Sequence, residues 1–217
     1  MLAKMLIGVA GVLVLFVAVV ATRPSAYHVE RKLEVAAPAD LVFGVLNDLH
    51  QFAGVLVLFG SPLEKVDPNM QKTFEGPAAG VGQSYAWNGN KEVGKGKMTI
   101  EESVPGQKVG MKLEFVEPMK STAICALTLA GTPTGSFVTW SMDGNHNFIG
   151  KAFGMFMDID NMLGTDIEMG LAQLKTVAEG KQVAIAAAAA AQADADKAAA
   201  EEAAKTAAAT PVKGNKK

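Results

Sequence analysis

This sequence has very few cysteines and no recognisable catalytic motif. Cys125 is the only cysteine among the 217 residues, so the chain has no intramolecular disulfide and no cysteine cluster for zinc or iron–sulfur. The three histidines, His28, His50 and His146, are far apart and lack metal-ligand spacing. A Gly-x-Ser-x-Gly elbow and a phosphate-binding loop are also missing. We therefore expect no metal and no cofactor, and we predict that Cys125 is a buried, inert thiol.

Positive charge is scarce in the middle of the chain. The formal net charge of the chain is −2. Lys4 and Arg23 near the start contribute +2, and the segment after residue 180, with six lysines and four acids, contributes another +2, which leaves about −6 for the middle. A surface with this charge repels phosphate backbones, so the sequence argues against a nucleic-acid partner.

The first 22 residues form an apolar segment. After the positive lead Met1-Leu-Ala-Lys4, the stretch that begins at Met5 and ends at Ala21 has no charged or strongly polar side chain. As a helix it would span about 25 Å, near the lower limit for crossing a membrane. A cleavable signal peptide is the alternative, and it would leave an exported soluble domain. We favour a retained single-pass anchor, residues 1–22, with the domain on the extracytoplasmic side.

The middle of the chain, residues 25–180, has the pattern of an α+β domain. Alternating residues predict a strand over 27–35, and Pro38 introduces a helix with an apolar stripe. Further strands are predicted at 72–76, 83–88, 93–102, 108–116, 121–129 and 136–142, with Asn88-Gly89 as the strongest hairpin signal. Helical periodicity returns over 160–179, where close approach to the sheet, space for a ligand and loose packing are alternative explanations for Gly164 and Gly170.

The last segment, residues 181–217, is rich in alanine. Alanine makes up 17 of these 37 residues, which favours helix, but no stripe of large apolar residues is present to dock it. We predict a solvated helix that frays into a disordered stretch over 211–217. Use of this tail as a partner-binding helix is the alternative.

Several short motifs accompany this order of elements. They are Glu75-Gly-Pro77, Gly80-Val-Gly82, Tyr85-Ala-Trp87-Asn-Gly-Asn90, Val93-Gly-Lys-Gly96, Val138-Thr-Trp140-Ser-Met142-Asp-Gly144 and Leu163-Gly-Thr-Asp-Ile-Glu168. Together they resemble the polyketide cyclase/dehydrase-type branch of the START-like (SRPBCC) superfamily in bacteria. The resemblance implies a helix-grip (START/Bet v 1-like) fold, in which a curved antiparallel sheet grips a long C-terminal helix. It also implies a cavity for an apolar ligand between sheet and helix.

The candidate ligand-binding residues are large side chains at strand positions that can point beneath the last helix. They are Trp87, Met98, Met111, Phe115, Leu127 and Trp140. We expect them to bind a hydrophobic small molecule or lipid, because methionine and tryptophan suit an adaptable pocket. An ordinary filled core is the alternative. A cyclase or dehydratase would need an inward-facing acid or base, for which Glu75, Glu101 and His146 are candidates; catalysis is the less favoured hypothesis.

Overall fold

The computed structural model describes residues 2–58 and 60–209. The apolar segment is one helix, α1 (Leu2–Thr22), and only residues 23–25 separate it from the first strand, β1 (Ala26–Val35). Short elements follow: α2 (Ala39–Leu46), α3 (Leu49–Phe52), a 3-10 turn (Ala53–Val55), β2 (Val57–Leu58), β3 (Ser61–Pro62) and α4 (Leu63–Val66). The long strands are β4 (Gln71–Glu75), β5 (Ser84–Asn88), β6 (Lys95–Val104), β7 (Lys108–Glu117), β8 (Ser121–Thr132) and β9 (Gly135–Asn145). Two helices end the chain: α5 (Phe148–Phe153) and α6 (Ile159–Ala209).

Seven strands form one antiparallel sheet in the order β1-β9-β8-β7-β6-β5-β4. The predicted α+β class and the helix-grip arrangement are confirmed, because this sheet is followed by the long helix α6. The register places the starts of β1, β4, β6 and β8 beside the ends of β5, β7 and β9. We call this the connector end of the sheet, since residues 23–25 lead into it, and the opposite end the far end.

Two local predictions differ from the structure. Helix α5 was not predicted; its six residues are too few to show a helical period, and it starts where the Asn147 side chain accepts a hydrogen bond from the Gly150 N–H at 2.8 Å. The β5–β6 connection, residues 89–94, is longer than the four residues between the predicted strands 83–88 and 93–102. Its left-handed residue is Gly94, with a φ of 69°, so the turn closes several residues later.

The chain divides into two compact units between Ala178 and Glu179. The first carries the sheet, and in the second α6 continues to Ala209; the side chains whose burial is described there are almost all exposed. The predicted disordered stretch 211–217 lies outside the described residues. The assignment of residues 1–22 as a separate membrane segment stays a prediction, although α1 is long and apolar enough to cross a membrane from Lys4 to Thr22.

The first turns of α6 cover the inner face of the sheet. Ile167, Leu171, Leu174 and Ala178 are buried at the predicted helical spacing. Gly170 lies close to the sheet: a Cβ there would lie 2.7 Å from Cζ3 of Trp140 and 3.3 Å from the carbonyl oxygen of Val55. This glycine therefore serves close packing.

Helix α2 covers the far half of the same face. It packs against β7, β8 and β9, and its Val42, Val45 and Leu46 side chains are fully buried. The far half of the space between sheet and helices is consequently filled with side chains. The half nearer the connector end has no counterpart of α2.

Candidate functional site

A cavity of about 530 Å³ occupies the half of the sheet–helix space that α2 does not fill. Its floor is the inner face of the sheet, its roof is the start of α6 with Leu163 and Ile167, and β2 closes one side. On β5 to β9, the strand residues that line it lie toward the connector end. They are Trp87, Met98, Leu113, Phe115, Glu117, Ser121, Cys125, Trp140, Met142 and Asn145. The cavity therefore lies at the connector end, and the exposed Met119, Phe153 and Met157 in its lining place its opening there.

Four of the six predicted ligand-binding residues line this cavity: Trp87, Met98, Phe115 and Trp140. Met111 and Leu127 do not. Both are inward-facing and buried, as their strand parity predicts, but they lie farther along β7 and β8 toward the far end. Alternation along a strand identifies the face of a residue. It does not say which part of that face another helix has filled.

A row of packed rings runs from β4 to β7, and its Trp87 and Phe115 line the cavity. Ring centroids of Phe74 and Tyr85 are 5.0 Å apart, those of Tyr85 and Trp87 are 5.8 Å apart, and Trp87 meets Phe115 edge-on at 5.8 Å. Gly96 on β6 makes this possible, because a Cβ at that position would overlap the Trp87 ring. Gly96 therefore leaves room for the Trp87 ring, a close approach for which glycine in a strand is suited.

Sequence reasoning missed much of the cavity wall. Leu56, Val57 and Leu58 line it from the segment around β2, and Phe153 and Met157 line it from α5 and the turn that follows. The segment around β2 is visible in the sequence as an apolar run. Nothing in that run indicates that it returns to the side of the cavity, because this placement depends on long-range packing.

Few ionisable groups reach the cavity. Cys125 is fully buried, and this burial raises the pKa of its thiol to about 12, so the thiol stays protonated and is a poor nucleophile. Burial, together with the nearby Cys125 and Asp143, also raises the pKa of the Tyr27 phenol. His146 stacks on Tyr27 with ring centroids 4.7 Å apart, at the connector end of the cavity.

Three carboxylates line the cavity, Glu92, Glu117 and Asp166, and the last two are paired. An oxygen of Asp166 accepts a hydrogen bond from the Gly60 N–H at 2.7 Å, and Glu117 pairs with Lys95 at 3.1 Å. The candidate acids Glu75 and Glu101 are exposed and do not line the cavity, which leaves His146 as the only proposed acid or base that does. Within residues 2–58 and 60–209, no three carboxylate, histidine or cysteine side chains are grouped as a metal site requires.

The two tryptophans of the cavity have buried indole N–H groups. Within the described part of the chain, neither the Trp87 nor the Trp140 Nε1 has a hydrogen-bond partner. The Trp140 indole lies near enough to the Cys125 sulfur to oppose the rise in the thiol pKa. The Trp87 ring packs against the rings of Tyr85 and Phe115.

Comparison with solved structures shows the same fold in several proteins. A point mutant of norcoclaurine synthase from Thalictrum flavum in complex with a transition-state analogue is similar over 74% of this chain and 99% of its own, at 11% identity and a TM-score of 0.53. The di-domain ARO/CYC StfQ from the steffimycin biosynthetic pathway is similar over 73% of this chain and 52% of its own, at 12% identity and a TM-score of 0.52.

A protein from Mesorhizobium loti is similar over 70% of this chain and 97% of its own, at 12% identity and a TM-score of 0.51. No protein-family model matches the chain, and no curated protein sequence matches it significantly. At 11–12% identity these structures show a shared fold, and they confirm the fold that the sequence resemblance implied.

Proposed function

We propose that the protein is a membrane-tethered domain that binds an apolar or amphipathic small molecule, such as a lipid, between its sheet and α6. One observation carries this proposal: a cavity of about 530 Å³ that is walled by aromatic, methionine and aliphatic side chains and opens at one end. This volume lies in the range of small-molecule pockets, and such pockets are predominantly apolar. The two methionines of the sheet floor, Met98 and Met142, adapt their shape to different ligands.

Helix α1 supplies the tether. Except at Val20 and Phe16, its described side chains are exposed, so the protein itself provides no apolar surroundings for them. A uniformly aliphatic exposed helix is unstable in water and stable in a bilayer. Its 21 residues correspond to about 31 Å at 1.5 Å per residue, close to the thickness of the hydrocarbon core. The extracytoplasmic placement of the domain remains part of the proposal.

The test of ligand binding is to fill the cavity from its roof. Leu163→Trp adds an indole at a position of α6 that lines the cavity, whereas Ala172→Trp adds the same group on the exposed side of the helix. The full chain is purified from membranes, and bound lipids are detected by native mass spectrometry and by solvent extraction. We expect co-purified ligand in the wild type and in A172W and little in L163W. Absence of any bound molecule from the wild type, or equal loading of both variants, would contradict the proposal.

Catalysis is a second candidate, and the stacked Tyr27–His146 pair is the observation that favours it. A half-buried imidazole beside a phenol at the cavity mouth is the kind of arrangement that general acid–base catalysis uses. His146→Ala would then abolish turnover of a polyketide-like substrate while ligand loading stays unchanged. Equal turnover in H146A would rule out this role.

The alanine-rich tail is a third candidate, as a docking helix for another envelope protein. It has no role in the cavity that we propose for ligand binding. Deletion of residues 181–217 is therefore expected to leave ligand loading intact, and an unchanged set of co-purifying proteins after this deletion would rule out the docking role.

A further inference from the structure

The position of the cavity mouth relative to α1 leads beyond the proposed function. Residues 23–25 are the whole connection between α1 and β1. Three residues reach at most about 10 Å even when fully extended. If α1 spans a bilayer, the connector end of the sheet lies within about that distance of the membrane surface. The far end, with helix α2, points away from it.

The cavity opens at this same end. Tyr27 at the start of β1, Ser121 at the start of β8 and Asn145 at the end of β9 all belong to its lining, and Ala26 pairs directly with Asn145 in the sheet. The antiparallel register therefore brings the mouth and the membrane connector to one edge of the sheet. This placement follows from strand pairing and does not depend on the tilt of α1.

The mouth is bordered by an exposed apolar segment, residues 148–157. Phe148, Ile149, Phe153, Phe156 and Met157 are all large and exposed, with Phe156 at 77%. Lys151 is the only charged residue among these ten. Exposed apolar groups at this density mark an interaction surface in a soluble domain. Phe153 and Met157 also line the cavity, so one segment forms both the rim of the mouth and the outer surface.

Helix α1 already contacts this segment. It packs against α5, and Val20, two residues before the end of α1, is completely buried. Arg23 and Pro24 share an open cleft with Lys151 and Phe156. Helix α5 thus lies at the depth of the last turn of α1, where a spanning helix leaves the hydrocarbon core. Aromatic and aliphatic side chains beside a lysine suit the boundary between headgroups and acyl chains.

We infer that residues 148–157 insert into the membrane interface beside α1 and hold the cavity mouth against the bilayer, so that the ligand is a lipid-soluble molecule that enters directly from the membrane. This inference rests on the proposed function for both the tether and the cavity. It adds a docking surface, a direction of entry and a class of ligand. A water-soluble metabolite would not need such a mouth.

The docking surface is tested with an environment-sensitive NBD fluorophore on the full chain. Phe156→Cys places the label on the proposed surface, and Gln107→Cys places it on the exposed β6–β7 turn at the far end. The buried Cys125 does not compete for the label. The proteins are reconstituted in vesicles of phosphatidylcholine and phosphatidylglycerol, with or without doxyl-labelled lipid. We expect a blue-shifted emission that is lost to the quencher at 156 and an aqueous, unquenched emission at 107. Equal, aqueous emission at both positions would overturn the docking surface.

Entry from the bilayer is tested with doxyl-stearic acid in the same vesicles, because its arrival quenches Trp87 and Trp140 at the cavity. Phe156→Glu charges the docking surface without changing the cavity lining, and Val81→Glu does the same at a comparably exposed apolar position, 57%, near the far end. We expect F156E to load several-fold more slowly than V81E and wild type. Equal loading rates would overturn entry through this surface.

Two further measurements separate this inference from the proposed function. Flotation of the wild-type chain with vesicles tests the tether, and quenching by doxyl-stearic acid in detergent solution tests the cavity alone. If both succeed while the label at 156 stays aqueous, only the docking inference is wrong. If flotation fails, the tether is wrong; if quenching in detergent fails, the cavity proposal is wrong.

Discussion

Gly170 gives the sharpest test of how α6 is seated over the sheet. In Gly170→Ala the new Cβ would lie 2.7 Å from Cζ3 of Trp140 and 3.3 Å from the carbonyl oxygen of Val55, so the helix or the indole must move. Overpacking of this kind destabilises a core by about 1–3 kcal/mol. The same substitution gains about 1 kcal/mol from helix propensity. The net effect expected for G170A is therefore a loss of about 0–2 kcal/mol in the free energy of unfolding.

Gly44 is the matched control, because it lies inside α2, is exposed, and has no atom within 4 Å of a Cβ built on it. Gly44→Ala should add up to about 1 kcal/mol of stability through propensity alone. Denaturant unfolding of the full chain, followed by tryptophan fluorescence, compares the two variants. G170A should fall below G44A by about 1–3 kcal/mol, the overpacking contribution. If G170A is stabilised as much as G44A, α6 is not in contact with Trp140.

Three further predictions concern groups outside the cavity mouth. Gln83 is fully buried, and its Oε1 accepts a hydrogen bond from the Leu49 N–H at 2.7 Å. Gln83→Leu leaves that N–H unpaired and should lower the free energy of unfolding by about 1–3 kcal/mol. An unchanged denaturation midpoint would contradict this prediction. Burial alone would raise the pKa of Asp48, but hydrogen bonds from Gln51 and neighbouring groups outweigh it and lower this pKa below its ordinary 3.8. The stabilisation that the Asp48 carboxylate provides is therefore complete above pH 3.8 and is lost as the pH falls through the lower pKa of the folded state. Asp48→Asn should reduce the dependence of the unfolding free energy on acid pH. The same loss of stability with falling pH in D48N and wild type would refute this. Because burial raises the pKa of Cys125 to about 12, a maleimide should label it only after unfolding, and rapid labelling of the folded chain would show that the thiol is accessible.

Much of the fold can be predicted from the sequence, because most of its helices and strands are specified by patterns of neighbouring residues. Strand alternation and turn residues predict β4 to β9 to within a few residues, and the spacing of Ile167, Leu171 and Leu174 predicts α6. Helix α5 could not be predicted in the same way. Its start depends on one side-chain cap from Asn147, and its exposed apolar side chains have no amphipathic period.

The candidate site shows the same division. Parity alone identifies Trp87, Met98 and Trp140 as inward residues, and they line the cavity. It assigns Met111 and Leu127 to the same face with equal justification. Their place in the filled half is decided by α2, which follows β1 in sequence but packs across β7, β8 and β9. Contacts of this range have no signature in a local pattern, so the sequence predicts the face of the sheet and not the extent of the cavity.

The size and the apolar wall of the cavity favour an apolar occupant. A cavity of about 530 Å³ that opens at one end is filled with water when no ligand is bound, so it is not an empty void in the core. Much of its wall consists of aromatic, methionine and aliphatic side chains, and an apolar occupant gains free energy by removing that surface from water. A ligand at a hundred times its Kd would stabilise the folded state by about 2.7 kcal/mol. With its mouth beside a bilayer, the proposed domain meets lipid-soluble molecules at far higher local concentration than in water, and the occupied form is then the stable one.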